Sequence, residues 1–310
     1  ELFVEKIKDF DLIIFDRYRM RGILPPEYIE NVVNYVREGG TVLVAAGPEF
    51  GQVDSLWRSP LAGNLPGGPP SQGIEGGYRP ALTDVGRRHP VTEGLEALAP
   101  KGGWGRWFRL VEVVKRSGQV LMSGPEGKPL LVLDRVDQGR IAVLASDQAW
   151  LWGRGYEGGG PQLELLRRLA HWMLKEPELE EESLSATTKG DVLTITRRTL
   201  KAEPPGEVTI LAPDGTKSTL TLPQKTPGHF EADWQAPGVG LYRLEQGDLV
   251  RVVAVGPPAP REFVDTLADA TAMAPVLAPM QGGVLRAEDG APTLRTVREG
   301  RPAAGRGWVG

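Results

Sequence analysis

Residues 41–50 read Thr41-Val42-Leu43-Val44-Ala45-Ala46-Gly47-Pro48-Glu49-Phe50, an apolar β-branched run that stops at Gly-Pro. The run predicts a buried strand, and in an open parallel sheet the carboxyl end of such a strand faces the ligand crevice. Some folds of this kind carry a nucleophile at that sharp turn. The candidate positions here are Ala45, Ala46 and Gly47, none of which can attack a substrate.

Working upstream, Leu12-Ile13-Ile14-Phe15 is a second continuous apolar run, typical of a strand buried on both faces, and it ends in Asp16-Arg17-Tyr18-Arg19. Between the two, Pro25-Pro26-Glu27 suits a helix start, Ile29, Val32, Val33 and Val36 form a buried stripe, and Gly39-Gly40 suits the stop. Strand, helix and strand make a βαβ unit, whose crossover is right-handed in about 98% of cases. Downstream, residues 52–80 dissolve into glycine and proline, a loop too long to be passive in a compact domain. Strands are expected over 110–114, 120–122, 129–133 and 139–145, the later ones close enough to form hairpins and an antiparallel extension. A helix over 161–175 carries the stripe Leu163, Leu166, Leu169, Ala170 and Met173, and residues 176–182, with five glutamates, read as a solvated acidic connector.

Together these patterns predict an α/β domain over 1–182, flavodoxin-like in three layers around a mostly parallel sheet. From Asp191 the period changes to two, and six short strands separated by turns such as Pro213-Asp214-Gly215 predict a small β-sandwich over 183–256. Gly240-Leu241-Tyr242 resembles the tyrosine-bearing strand start of immunoglobulin-like modules. Residues 257–310 are read as a short helix, 261–270, and a Pro/Gly-rich tail holding Arg286, Arg295, Arg298, Arg301, Arg306 and Trp308.

Composition narrows the function classes. With 36 basic and 40 acidic residues and a formal charge of -4, the chain has no electrostatic footprint for nucleic acid. Cysteine is absent, which excludes disulfides, thiolate metal sites and a cysteine nucleophile together. No apolar run reaches the roughly 18 residues of a membrane span. The chain opens on Glu1, already helical in pattern, and closes without a capping signal, so an excerpt of a longer protein is expected.

Three motifs carry a family resemblance: residues 39–47, Gly-Gly-Thr-Val-Leu-Val-Ala-Ala-Gly; His89-Pro90-Val91-Thr92-Glu93-Gly94-Leu95; and Gly139-Arg140-Ile141-Ala142-Val143. Over about residues 10–175 the chain resembles the class I glutamine-amidotransferase-like superfamily, and within it the trehalose-utilisation-like and other non-classical branches. The resemblance implies a strand ending in Gly-x-Cys-x-Gly. Its cysteine would fall on Ala46, and no histidine or following glutamate stands after the late strand ending near Ala145-Ser146-Asp147. Residues 150–182 further resemble a group of bacterial membrane proteins in which such a domain precedes transmembrane helices. That likeness implies a tethered extramembrane part; the periplasm is favoured over the cytoplasm, and the expected partners are proteins or other domains of a longer chain.

The remaining polar groups at the strand ends are Asp16, Arg17, Arg19, Glu49, Asp147 and Arg154, with Trp150 and Trp152 near them in sequence. They either form a crevice for a polar ligand, or Asp16 and Asp147 pair with arginines and cap loops. His89, His171 and His229 read as two packing residues and one surface residue, with no metal-ligand spacing, and no cofactor signature is present. Losing a covalent nucleophile costs on the order of a million-fold in turnover, so amidotransferase activity is not expected and no catalytic residue is assigned. Three functions compete at this point. One is a non-catalytic interaction or ligand-binding module; another is a hydrolase or isomerase using Asp16, Glu49 and Asp147; the last is a carbohydrate-binding module presenting Trp104, Trp107, Trp150 and Trp152.

Overall fold

A computed structural model describes residues 2–69, 73–256, 274–277 and 279. The chain divides into two units, Glu1–Gly256 and Pro257–Gly310. Of the second unit, the described part is one helical turn, Ala274–Leu277, and residue 279. The helix expected over 261–270, the arginine-bearing tail and Trp308 lie outside the described residues.

In the first unit, the two expected strands are β1 (Ile13–Asp16) and β2 (Thr41–Ala45), joined through α1 (Pro26–Arg37). An excursion follows with β3 (Gly67–Gly68), β4 (Ile74–Tyr78), β5 (Ala81–Leu82), the five-residue α2 (Asp84–Arg88), β6 (Trp107–Leu110) and β7 (Val114–Lys115). Then come β8 (Gln119–Ser123), β9 (Pro129–Val136), β10 (Gly139–Leu144), α3 (Trp150–Gly153) and α4 (Gln162–Met173). The main sheet has six strands in the order β1-β2-β10-β9-β8-β5.

This corrects the expected architecture. Only the β1-β2 and β2-β10 pairs of that sheet are parallel, whereas β10-β9, β9-β8 and β8-β5 are antiparallel. Separate two-stranded sheets join β3 to β7 and β4 to β6. The described residues form strands in several small mixed or antiparallel sheets with few helices, not a flavodoxin-like domain with three layers and a mostly parallel sheet. The reason lies in the connections. A parallel pair needs a crossover of about a dozen residues or more, and after α1 the chain offers mainly short turns. β9 returns as β10 through Asp137 and Gln138, with Asp137 left-handed at φ 52°.

Close packing explains two glycines. A Cβ on Gly40 would stand 2.2 Å from the Tyr35 ring, and one on Gly139 would stand 1.9 Å from the Val36 carbonyl oxygen. These positions let α1 lie tightly on the central strands. In α4 the buried residues are Leu165, Leu169, Trp172 and Met173, while Leu163 is 84% exposed. The expected stripe began two residues early: counting i, i+4, i+7, i+8 from Leu165 gives the face that is buried.

The last three glutamates of the acidic connector are engaged rather than simply solvated, while Glu178 is exposed. Glu180 pairs with Arg135 at 2.7 Å and with the buried Arg140; Glu181 accepts the Trp172 indole N–H at 3.0 Å and pairs with Arg135. Glu182 accepts from the Thr199 hydroxyl at 2.7 Å and the Leu200 N–H at 3.0 Å, and it also binds Arg197. His89 is buried and lies 3.4 Å from Glu181 through Nε2. Its Nδ1 accepts the Val91 N–H at 3.2 Å, so the proton of the neutral ring sits on Nε2 and points at the carboxylate. Burial holds this imidazole below its ordinary pKa against the pull of Glu181.

Beyond the connector, strands β11 (Ser183–Lys189), β12 (Val192–Arg198), β16 (His229–Gln235) and β15 (Gln224–Thr226) form one sheet in that order. Strands β14 (Lys217–Thr221), β13 (Glu207–Leu211), β17 (Gly240–Gln246) and β18 (Leu249–Val255) form the other. Eight strands therefore replace the expected six, because the polar β11 and the three-residue β15 carry little apolar alternation. Leu193, Ile195, Val208, Ile210, Tyr242 and Leu244 make up the centre of its own core. The Tyr242 hydroxyl donates back to the Gly238 carbonyl at 2.7 Å. Glu93, from the turn after α2, reaches this part through Arg198, Thr226 and His229, the last at 3.8 Å. His229 is thus a junction residue rather than a free surface one.

Glu181 gives the connector a pH signature. Burial raises its pKa, but His89, Arg135 and backbone N–H outweigh that and draw it down to about 2. The stabilisation is present above the unfolded carboxyl value and lost as pH falls toward 2, and it is worth on the order of 3 kcal/mol. Denaturant melts of Glu181→Gln should show a loss of about 3 kcal/mol at pH 7 and a shallower decline between pH 5 and 2.5 than the parent chain. Parallel declines would show that Glu181 does not carry the acid sensitivity.

Candidate functional site

The carboxyl ends of β1, β2 and β10 lie side by side, with Asp16 and Leu144 both registered on Ala45. Continued pairing carries the chain out of the sheet: the Arg17 N–H donates to the Ala45 carbonyl at 2.9 Å, and the Ala46 N–H donates to Leu144 at 2.8 Å. Arg17 leaves β1 with φ 48°, a left-handed conformation uncommon outside glycine. Ala46 is 2% exposed. The excursion after β2 closes this edge, because Arg19 bridges to Ser55 and the Met20 N–H donates to Asp54 at 2.8 Å.

One guanidinium sits between two buried carboxylates. Arg17 contacts Glu49 Oε1 at 3.1 Å through Nη2 and Asp147 Oδ2 at 3.4 Å through Nε. The Asp147 and Glu49 side chains are 7% and 9% exposed. Arg109 reaches Asp147 at 3.2 Å and, on its other side, Glu75 at 2.9 Å. Arg19 stands 3.6 Å from Glu49. The result is an alternating chain, Glu75–Arg109–Asp147–Arg17–Glu49–Arg19. Beneath it, the Ser146 hydroxyl donates to the Arg109 carbonyl at 2.7 Å and the Tyr78 hydroxyl to the same oxygen at 3.1 Å.

Gly47 is small for a reason: a Cβ there would stand 2.4 Å from Glu49 Oε2 and 3.0 Å from the Arg17 side chain. Burial pushes the Glu49 carboxyl up, but its own backbone N–H, Arg17 and Arg19 overcome this and hold it below the usual value. Hydrogen bonding and charge from Glu49 raise Arg17, contact with Glu75 raises Arg109, and burial drives the Tyr78 phenol well above its ordinary range. General acid–base catalysis at neutral pH needs a group poised near 7. Glu49 is displaced downward and Arg17 upward, both away from that range.

The expected site residues separate into three sets. Arg17, Arg19, Glu49 and Asp147 converge in the ion-pair chain. Asp16 and Trp150, with one side of Asp147, line a cavity on the sheet face towards α4. Trp152 and Arg154 belong to neither. Trp152 is buried with its indole N–H donated to Gly105 at 2.8 Å, and its ring lies 5.2 Å from Trp104 and 4.7 Å from Trp107. Arg154 is exposed on the turn after α3. Of the four tryptophans proposed as a sugar platform, only Trp150 is exposed, so that face is core. Sequence reading missed Arg109 and Glu75. They oppose each other across β6 and β4, and an isolated arginine inside an apolar strand was the one available signal. Among the described residues no group of three or more His, Asp or Glu could hold a metal ion, and no helix is long and apolar enough to cross a membrane.

No family model and no curated protein matches the chain. Among solved structures it is similar to two cytoplasmic proteins of Salmonella typhimurium. One is 18% identical with a TM-score of 0.45, the other 19% with 0.46, and each match covers 55% of this chain and 74% of the other. It is also similar to a β-galactosidase of Bacillus circulans sp. alkalophilus, 13% identical with a TM-score of 0.37, covering 76% of this chain and 34% of that one. Likeness this distant carries no argument about activity.

Removing the shared cation should be felt as stability. Arg17→Gln leaves Glu49 and Asp147 facing each other with half their compensation gone, and a loss of about 2 kcal/mol is expected in urea melts. Gly47→Ala, which forces the Glu49 carboxylate and Arg17 to move, should cost about 1–3 kcal/mol. Both variants melting with the parent chain would mean that the ion pairs are not formed in solution.

Proposed function

We propose that the chain is a non-catalytic module that binds a ligand or a protein partner, as an extramembrane part of a larger membrane-associated bacterial protein. The observation that carries the reading is the state of the strand-end carboxylates. Glu49 and Asp147 are buried and share Arg17, so the pair that a hydrolase or isomerase would use as acid and base is already neutralised. Under the resemblance to glutamine-amidotransferase-like proteins, the turn after β2 would also hold the nucleophile, and there stands the buried methyl of Ala46. Support for tethering comes from the sequence resemblance of residues 150–182, and the periplasmic side is proposed on the same ground. The labels of the structural neighbours do not favour that side. Protease accessibility of the full-length protein in intact and lysed cells decides it, with cleavage only after lysis of the inner membrane counting against the periplasm.

Incubated with glutamine or glutamate γ-esters, the purified chain should release no ammonia or alcohol above the uncatalysed rate. Release that disappears in Asp147→Asn would overturn the reading in favour of a carboxylate-dependent hydrolase. Release unchanged in that variant would point to a contaminant and leave the reading in place.

A further inference from the structure

The sheet face that carries Ile14, Leu43 and Leu144 is covered unevenly. α4 lies over it with Leu166 and Met173, but the edge strand β1 extends past that cover and leaves Ile14 56% exposed. Between them is a cavity of about 460 Å³. Small-molecule sites run from roughly 300 to 1,000 Å³ and are mostly apolar with a few convergent polar groups.

Here the polar groups are all at one end. The charged side chains lining the cavity are Asp16 and Asp147, and no basic residue lines it among the described residues. Asp147 is engaged by Arg17 and Arg109. The Asp16 side chain makes no hydrogen bond or ion pair within the described residues and is exposed at the end of β1. Trp150, 55% exposed, lines the same cavity from the start of α3. A free carboxylate and an open indole face are complementary to an organic cation, through charge and through the ring quadrupole. An apolar floor of leucine and isoleucine calls for a hydrocarbon or aromatic body on that cation.

We infer that this cavity binds a small organic ammonium ion with an apolar body, its head between Asp16 and Trp150 and its body on Leu43 and Leu144. The inference rests on the binding-module reading and names the ligand class for it. Phenethylammonium is the probe, titrated into the full chain at low salt and followed by tryptophan fluorescence and calorimetry. Its counterpart of opposite charge, 3-phenylpropanoate, is titrated in parallel.

The expected result is saturable binding of the amine, at least tenfold tighter than the carboxylate, weakened at least tenfold by Asp16→Asn. Trp150→Ala should weaken it too and remove the fluorescence change, with both variants melting at the parent temperature. Equal affinity for amine and carboxylate, indifference to Asp16→Asn, or no binding of the amine would overturn the inference. Each of those failures leaves the non-catalytic reading intact, since that reading falls only to turnover of glutamine or its esters by the chain.

Discussion

The Arg17 guanidinium holds the strand-end layer together, because two carboxylates that are less than a tenth exposed both depend on it. Burying one ionised carboxylate without a partner is costly, and burying two side by side is worse. Arg17 can serve both only because the backbone turns left-handed as it leaves β1, and because Gly47 leaves room for Glu49 and the arginine stem to cross. Arg109 and Arg19 complete the compensation from the two flanks. The chemistry of the layer follows from that arrangement. Charges that answer one another at fixed distances are poor proton carriers and good structural ties.

A second set of ion pairs does the corresponding work at the other end of the main sheet. Glu180, Glu181 and Glu182 are consecutive, and they engage Arg135 and Arg140 from the main sheet and Arg197 and Thr199 from β12 and the residue beyond it. Glu93 adds a further contact to Arg198 and Thr226. The main sheet and the eight-stranded part are therefore joined by partly buried charge, not by a solvated linker.

What could be read from the sequence was local. The β1-α1-β2 unit was legible because its apolar runs and its stripe, Ile29, Val32, Val33 and Val36, follow the periods that backbone geometry imposes. The expectation of a mostly parallel sheet failed: the short turns between the later strands marked hairpins, but how far antiparallel pairing takes over the sheet depends on contacts that composition does not show. Leu163 was misplaced because an apolar residue at a helix start fits the stripe whether or not the sheet reaches that far. At the site, Arg17, Arg19, Glu49 and Asp147 were found by their position after strands, whereas Glu75 and Arg109 come from an excursion whose pairing only three dimensions reveal. The glutamate run was misread for a related reason. Five acids in seven residues look solvated until the arginines that face them are located.

Whether the strand-end carboxylates are structural ties or a poised acid–base pair is decided most directly by the titration of Glu49, followed through its carboxyl carbon by NMR in the folded chain. Arginine pairing predicts a midpoint below the ordinary glutamate value, with the resonance of the charged form unchanged through neutral pH. A midpoint displaced upward toward neutrality would mean that Arg17 does not hold this carboxylate, and the site would have to be read as catalytic.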